Sequence, residues 1–348
     1  MTRHSAPNIR EVAAMAGVST ATVSRTLAEP NKVRETTREK VMKAVEALNF
    51  VPNAQARSFR QRSNRTVILL VRDIANPFYL EIYRAVEEEA SAAGYKVLMG
   101  DARGDATRVA NHIDMVRERH ADGLILMIGR YPEELVELKN LPPIVMASET
   151  FEGLDLPSVK VNNVAAAKGA VAHLIAQGHH AIVHLAGPLP EQLASDRLAG
   201  YRTALAEAGI SFDPSLVEAG DYSIEAGRQG IEALFARGKT FSAVFASSDQ
   251  MAIGAIAALR SRGLSVPQDI SVIGFDDILF ANAFEPPLST VRQPRRELGR
   301  HAMRMMIELL SGNTRPADVL LPTELILRGS VASASARKAG SIAGKRDA

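Results

Sequence analysis

Several residue groups in this 348-residue sequence have types and spacing that chemistry can use. His179, His180 and His184 could hold a metal, but 182–185 reads as a strand and no helical metal spacing appears, so ordinary structural rings are favoured. Gly238-Lys239-Thr240 has the ending of a phosphate loop, yet the glycine required five positions earlier is Ala233. Asp276-Asp277 offers two carboxylates, but adjacent residues at a strand end point to different sides, which spoils an acid–base pair. With no Cys there is no thiolate nucleophile, thiolate metal site or disulfide. Neither G-x-G-x-x-G nor G-x-S-x-G occurs. These exclusions point away from an enzyme, a metal and a cofactor. Two groups remain: a Ser/Thr run closed by Arg25, and aromatic rings near strand ends at Phe78, Tyr79 and Tyr222.

The Ser/Thr run sits in a basic head. Residues 1–65 carry twelve Lys/Arg against five acids, a net +7, whereas the whole chain is only +2. Such a head suits an anionic polymer. Ile9, Val12, Ala13 and Ala16 share one helical face, and Gly17 ends that helix because glycine tolerates positive φ. Ser19 stands where an N-cap belongs; 20–27 form a second helix with Val23 and Leu27 inward, and 37–48 a third with Val41, Ala44, Val45 and Leu48. Helix, glycine turn and helix read as helix-turn-helix, whose second helix enters the major groove. Thr20, Ala21 and Arg25 would face base edges, with Ser19, Thr22, Ser24 and Asn31 as further DNA contacts. The competing reading is a generic three-helix bundle whose Ser/Thr run only caps.

The wording of this region is informative in its own right. Ile9-Arg-Glu-Val-Ala-Ala-Met-Ala-Gly-Val-Ser-Thr-Ala-Thr-Val-Ser-Arg25 and Asn49-Phe-Val-Pro-Asn-Ala-Gln-Ala-Arg-Ser58 resemble the N-terminal signature and hinge of LacI/GalR-family bacterial repressors. The likeness continues to about Arg328. It implies a repressor that binds a palindromic double-stranded DNA operator as a homodimer. It also implies a hinge helix at 54–59, too short to persist alone, that pairs with its dimer mate in the minor groove. Phe59 stands where the family usually places a leucine wedge and can unstack a base step; Arg57 and Arg60 would contact phosphate or groove edges. A flexible basic linker is the alternative for this segment.

From 66 onward short apolar runs (67–71, 96–99, 124–128, 144–147, 182–185, 216–219, 243–246, 272–274) alternate with helical stretches (79–93, 108–119, 133–139, 165–176, 197–208, 224–236, 251–262). That alternation predicts an α/β core of two parallel-sheet lobes beside the all-α head. By resemblance this is a periplasmic-binding-protein-like core, with chain crossings near 160–165 and 285–293 and 294–310 returning to the first lobe. The expected divisions are a head at 1–52, hinge and linker at 53–65, core at 66–328 and a disordered tail at 329–348. No sequence repeat relates the lobes.

Ligands in such folds bind outside the carboxyl ends of strands. Asn76, Phe78 and Tyr79 follow the first strand, and Tyr222 offers a ring from the second lobe; all could instead fill core. Arg197 and Asp276 match the family's ligand-reading arginine and aspartate; donors and acceptors together suit a vicinal diol, though an inter-lobe ion pair is the plainer alternative. Ser248 occupies a place where relatives often have a polar contact, and Gly129 with Arg130 lies on another loop entering the cleft. Rings plus a diol reader fit a nucleoside such as cytidine, and equally a sugar or polyol. Likeness of 64–69, 94–101 and 140–147 to a nucleoside-responsive branch tips the balance to the nucleoside. The longest apolar runs are about five residues, too short for a bilayer, and the first ten residues lack a signal-peptide core. A cytoplasmic protein is expected. A solute-binding protein without DNA binding is the rival from another class.

Overall fold

The computed structural model describes residues 7–50, 63–131, 141–151 and 154–334. The chain divides into two compact units, 1–64 and 65–348.

In the first unit α1 (Ile9–Ala16), α2 (Thr20–Ala28) and α3 (Glu35–Ala47) close on Val12, Val23, Val41, Ala44 and Phe50. Asn8 opens α1 with a reciprocal capping box to Glu11, and Gly17 closes it at φ 65°. Leu27 is only half-buried; Thr26, absent from the sequence expectation, is buried and donates to the Thr22 carbonyl.

The second unit begins β1 (Thr66–Val71), α4 (Phe78–Ala92), β2 (Lys96–Asp101), α5 (Ala106–Arg117), β3 (Gly123–Met127), β4 (Ile144–Ala147) and β5 (Ser158–Val161). The chain then crosses to α6 (Asn163–Ala176), β6 (Ile182–Ala186), α7 (Gln192–Glu207), β7 (Val217–Ala219), α8 (Ile224–Ala236), β8 (Ala243–Ala246), α9 (Asp249–Ser261), β9 (Ser271–Asp276) and β10 (Ser289–Arg292). α10 (Arg295–Leu310) and β11 (Val319–Leu321) return to the first lobe, and β12 (Glu324–Ile326) to the second. The helix expected at 133–139 lies outside the described residues.

Among the described residues there are two six-stranded sheets, β11-β5-β4-β3-β1-β2 and β12-β10-β9-β8-β6-β7. Each is a doubly wound order reversing between its first and third strands, so each lobe has a topological switch point. The lobes therefore repeat a topology that they do not repeat in sequence, because burying a parallel strand needs only an apolar run. All pairings are parallel except β10 with β12. A third crossing, between β11 and β12, was not expected; three-residue strands at sheet edges carry too little pattern to show in sequence. α10 docks on α4, with Arg296 on Glu88 at 2.6 Å and Arg304 on Glu89 at 2.9 Å.

The tail boundary needs correction. Ser330 is fully buried, its hydroxyl donating to the Val272 carbonyl at 2.6 Å, and the Ala334 amide bonds the Gln177 carbonyl at 2.8 Å. Residues 330–334 thus belong to the core, where their small side chains fit against β9 and the end of α6.

Candidate functional site

In the head, the Ser19 hydroxyl accepts from the Thr22 amide at 3.1 Å and lies 2.9 Å from the Thr22 hydroxyl. This cap fixes the start of α2, where Thr20 and Ala21 are exposed; Arg25 is exposed further along the same helix, in its last turn. Ser24 is half-buried and Asn31 is exposed. Ser19 and Thr22 thus act first as the cap. Arg57, Phe59 and Arg60 lie outside the described residues.

In the core, strand carboxyl ends from both lobes border a cavity that opens to solvent. Asn76, Phe78, Tyr79, Arg197, Tyr222, Ser248 and Asp276 all line it. Phe78 and Tyr79 meet edge to face at 5.2 Å, and both also pack in the first lobe's core. The alternatives of core ring and ligand ring are therefore combined. The Asn76 side chain accepts from the Phe78 amide at 2.9 Å, turning the loop after β1 into α4.

Arg197 is buried on α7. Its Nε donates to Asn163 at 3.0 Å, its Nη1 to the Ser247 carbonyl, and its guanidinium lies 3.7 Å over the Phe275 ring. Nη2 donates no bond among the described residues. Asp276 ends β9 and accepts from Gln293 Nε2 at 2.8 Å, leaving Oδ2 as an acceptor. Burial pushes its carboxyl up to about 6, with Arg197 and Gln293 opposing. Asp277 turns the other way to Arg292 and Arg328, at 2.7 Å each, as the opposite-sides argument requires.

Two expected contacts take other roles. Gly129 does not line the cavity. A Cβ there would fall 2.2 Å from Arg72 Nη1 and 2.3 Å from the Glu191 carboxylate, so its missing side chain makes room for an ion pair. Arg130 is exposed and likewise absent from the lining. Ser248 borders the cavity, but its hydroxyl donates to the Tyr222 carbonyl at 3.0 Å and accepts from the Met251 amide. It caps α9 and positions Tyr222.

The structure adds Arg72, Ser148, Glu149 and Gln293 to the lining. Arg72 follows β1 and pairs across the cleft with Glu191 at the start of α7, tying lobe to lobe. Burial opposes its charge, but Glu191 outweighs burial and holds the guanidinium pKa above its usual value. Burial also raises Tyr79 and Tyr222 well above ordinary phenols. Ser148, Tyr222 and Asp276 have φ of 69°, 72° and 119°, a left-handed region that side chains avoid. Such strain gathers at ligand sites. Each added residue sits just past a strand end, and that position was the available signal.

The histidines are structural. His184 is fully buried between Tyr201 and Phe245 at 5.2 and 5.0 Å, and burial lowers its pKa to about 4. His179 is held by Ser242 and the Ala332 carbonyl, both at 3.0 Å.

Residues 8–53 match the family described as bacterial regulatory proteins, lacI family, and residues 171–331 match the periplasmic binding protein-like domain. The HTH-type transcriptional repressor CytR of Escherichia coli K12 is 40% identical over 331 residues, covering 94% of this chain and 97% of that protein. The chain belongs to the lacI family of bacterial regulatory proteins. The ribose operon repressor of Haemophilus influenzae is 34% identical over 93% of this chain and 98% of its own length. A solved lac repressor dimer bound to operator and an anti-inducer superposes with a TM-score of 0.81 at 28% identity, covering 94% of this chain and all of that one. This family member is a DNA-binding transcriptional repressor; the relatives are named for repression rather than for a reaction. Among the described residues no helix is long and apolar enough to cross a membrane.

Proposed function

We propose that this repressor holds a palindromic operator as a homodimer in the cytoplasm and is released when a neutral nucleoside such as cytidine fills the cavity between its lobes. The observation that carries the reading is the lining itself. Rings from Phe78, Tyr79 and Tyr222 suit a flat base. The Arg197 donor and the Asp276 acceptor, from α7 and β9, suit a sugar diol. Charge selects against phosphorylated ligands: Asp73, Asp221 and Asp276 face Arg72 and Arg197 in the lining, and Arg72 is already paired with Glu191. The branch likeness of 64–69, 94–101 and 140–147 supports the nucleoside.

A ligand shifts an equilibrium only through differential affinity for its states. Arg72 and Glu191 join the lobes beside Tyr222, whose ring lies 5.3 Å under the Arg72 guanidinium. A base stacked there alters both partners of the bridge. The altered lobe angle loosens the grip of the dimer on DNA. A sugar or polyol is the second reading, favoured by the ribose operon repressor among the relatives.

Thermal-shift screening of nucleosides beside sugars and polyols tests the effector class, followed by titration of the best ligand into an operator complex. Cytidine raises the melting temperature and releases DNA on this reading. Operator affinity unchanged by every stabilising ligand refutes release, and stabilisation by sugars alone selects the second reading.

A further inference from the structure

Ser148 and Glu149 follow β4 directly and face the cavity from the first lobe. The Ser148 hydroxyl and the Tyr222 hydroxyl are buried with no hydrogen-bond partner among the described residues. The Glu149 carboxyl, half-buried, likewise makes no hydrogen bond there. Neither nearby guanidinium is committed to it: Arg72 is held by Glu191, and Arg197 by Asn163 and the Ser247 carbonyl. Buried polar groups are nearly always partnered, so the Ser148 and Tyr222 hydroxyls, on the same cavity as the uncommitted Glu149 carboxyl, mark the place of a ligand's polar edge.

We propose that Glu149 is the specificity-determining residue of the cavity, its carboxyl pairing in protonated form with a ligand edge that sets a hydrogen-bond acceptor beside a donor, as N3 and the amino group of cytosine do. This rests on the nucleoside reading and names the group that reads the base. An ionised carboxylate only accepts, whereas the neutral acid offers one donor beside an acceptor and makes two parallel bonds to such an edge. A sugar carbon bears a single hydroxyl and presents no such planar pair.

The surroundings favour the neutral acid. Burial and the Glu191 carboxylate push Glu149 up to about 8, against the pull of Arg72 and Arg197. Tyr79 on α4 and Tyr222 after β7 feel its charge as unfavourable to their own ionisation. Lys160 and Asp196 lie along the adjoining groove that Glu149 also borders. At the diol-reading pole Asp276 accepts from Gln293 and Arg197 only donates, so the two ends of the cavity recognise different chemistry.

Calorimetric titration of cytidine into the full-length protein between pH 6.5 and 9.5, with E149Q and E149A, tests this. The wild type binds with level affinity to about pH 8 and weakens about tenfold per unit above it, because binding selects the protonated form. Glutamine has the same donor–acceptor pattern without a proton to lose, so E149Q keeps affinity within about threefold and shows no such decline. E149A weakens cytidine about ten- to hundredfold while its melting temperature stays level or rises. Affinity that climbs with pH, with E149Q as weak as E149A, overturns the protonated reading. An E149A variant that binds like wild type overturns the role of Glu149 altogether. Absence of cytidine binding to the wild type overturns the nucleoside reading first, and this inference with it.

Discussion

At the start of α2 the Ser19 hydroxyl already accepts from the Thr22 amide, and the remaining candidates Thr20, Ala21 and Arg25 stand in water. In the core cavity the Ser148 and Tyr222 hydroxyls are buried without partners among the described residues, and Ser148, Tyr222 and Asp276 hold left-handed backbone. The two surfaces thus differ in where unmet bonding capacity sits. On the helix, water meets it and DNA later replaces water at little net change per bond. In the cavity no side chain or backbone group among the described residues meets it, so a ligand that does should stabilise the core and couple to its conformation. A reader of DNA can be a rigid local motif. A reader of metabolites on this fold is a strained assembly of distant strand ends.

The largest test of that contrast is acid. His184 is neutral inside the second lobe, its pKa lowered to about 4 from 6.5. The unfolded chain therefore binds the extra proton first, and stability falls as pH drops from about 6.5 towards 4, by on the order of 3 kcal/mol. Urea midpoints of the core should fall over that window, and His184→Phe should flatten that part of the slope; an unchanged slope would show that the ring is not held neutral. Next, Asp276→Asn keeps the shape and the Gln293 bond but removes a charged acceptor. Effector affinity should drop about ten- to hundredfold, with operator binding in the absence of effector intact. Equal losses at both sites would erase the distinction between them.

On the head, Arg25→Ala should cost about 1–3 kcal/mol of discrimination between operator and mutated operator, leaving effector affinity unchanged. Gel shifts on both duplexes measure it, and a uniform loss on all DNA would place Arg25 on phosphate instead. The smallest expected effect is Ser19→Ala. Losing the cap costs the head about 1 kcal/mol in thermal unfolding without touching the cavity. A larger loss of operator affinity than that destabilisation explains would make Ser19 a DNA contact as well as a cap.

Much of this was legible in the residue order. β4 at Ile144–Ala147 and α8 at Ile224–Ala236 match the periodic runs residue for residue, and seven of the eight effector candidates meet in one cavity. Gly129 was misread because a glycine at a strand end looks the same whether it admits a ligand or, as here, an Arg72–Glu191 pair. Arg72 and Glu149 were missed since a charged residue opening a loop is the commonest thing a soluble protein shows. α7 begins at Gln192, five residues before the expected start, because Glu191 and Gln192 lack the apolar spacing that marked its interior.

By itself the sequence determined what acts over a few residues: the capping box at Asn8, the turn at Gly17, the Ser19 cap, and the alternation of buried strands with helices. Caps and periodicity are local interactions, and their signals are written in consecutive positions. Only the tertiary structure decided which polar groups share a cavity and which are already engaged. Arg72, Glu149, Arg197, Asp276 and Gln293 are separated by up to 221 positions, and meet because two sheets of one topology turn their strand ends to a common space. Whether a hydroxyl such as that of Ser248 serves a ligand or a neighbouring carbonyl is fixed by distance in three dimensions, which no spacing along the chain encodes.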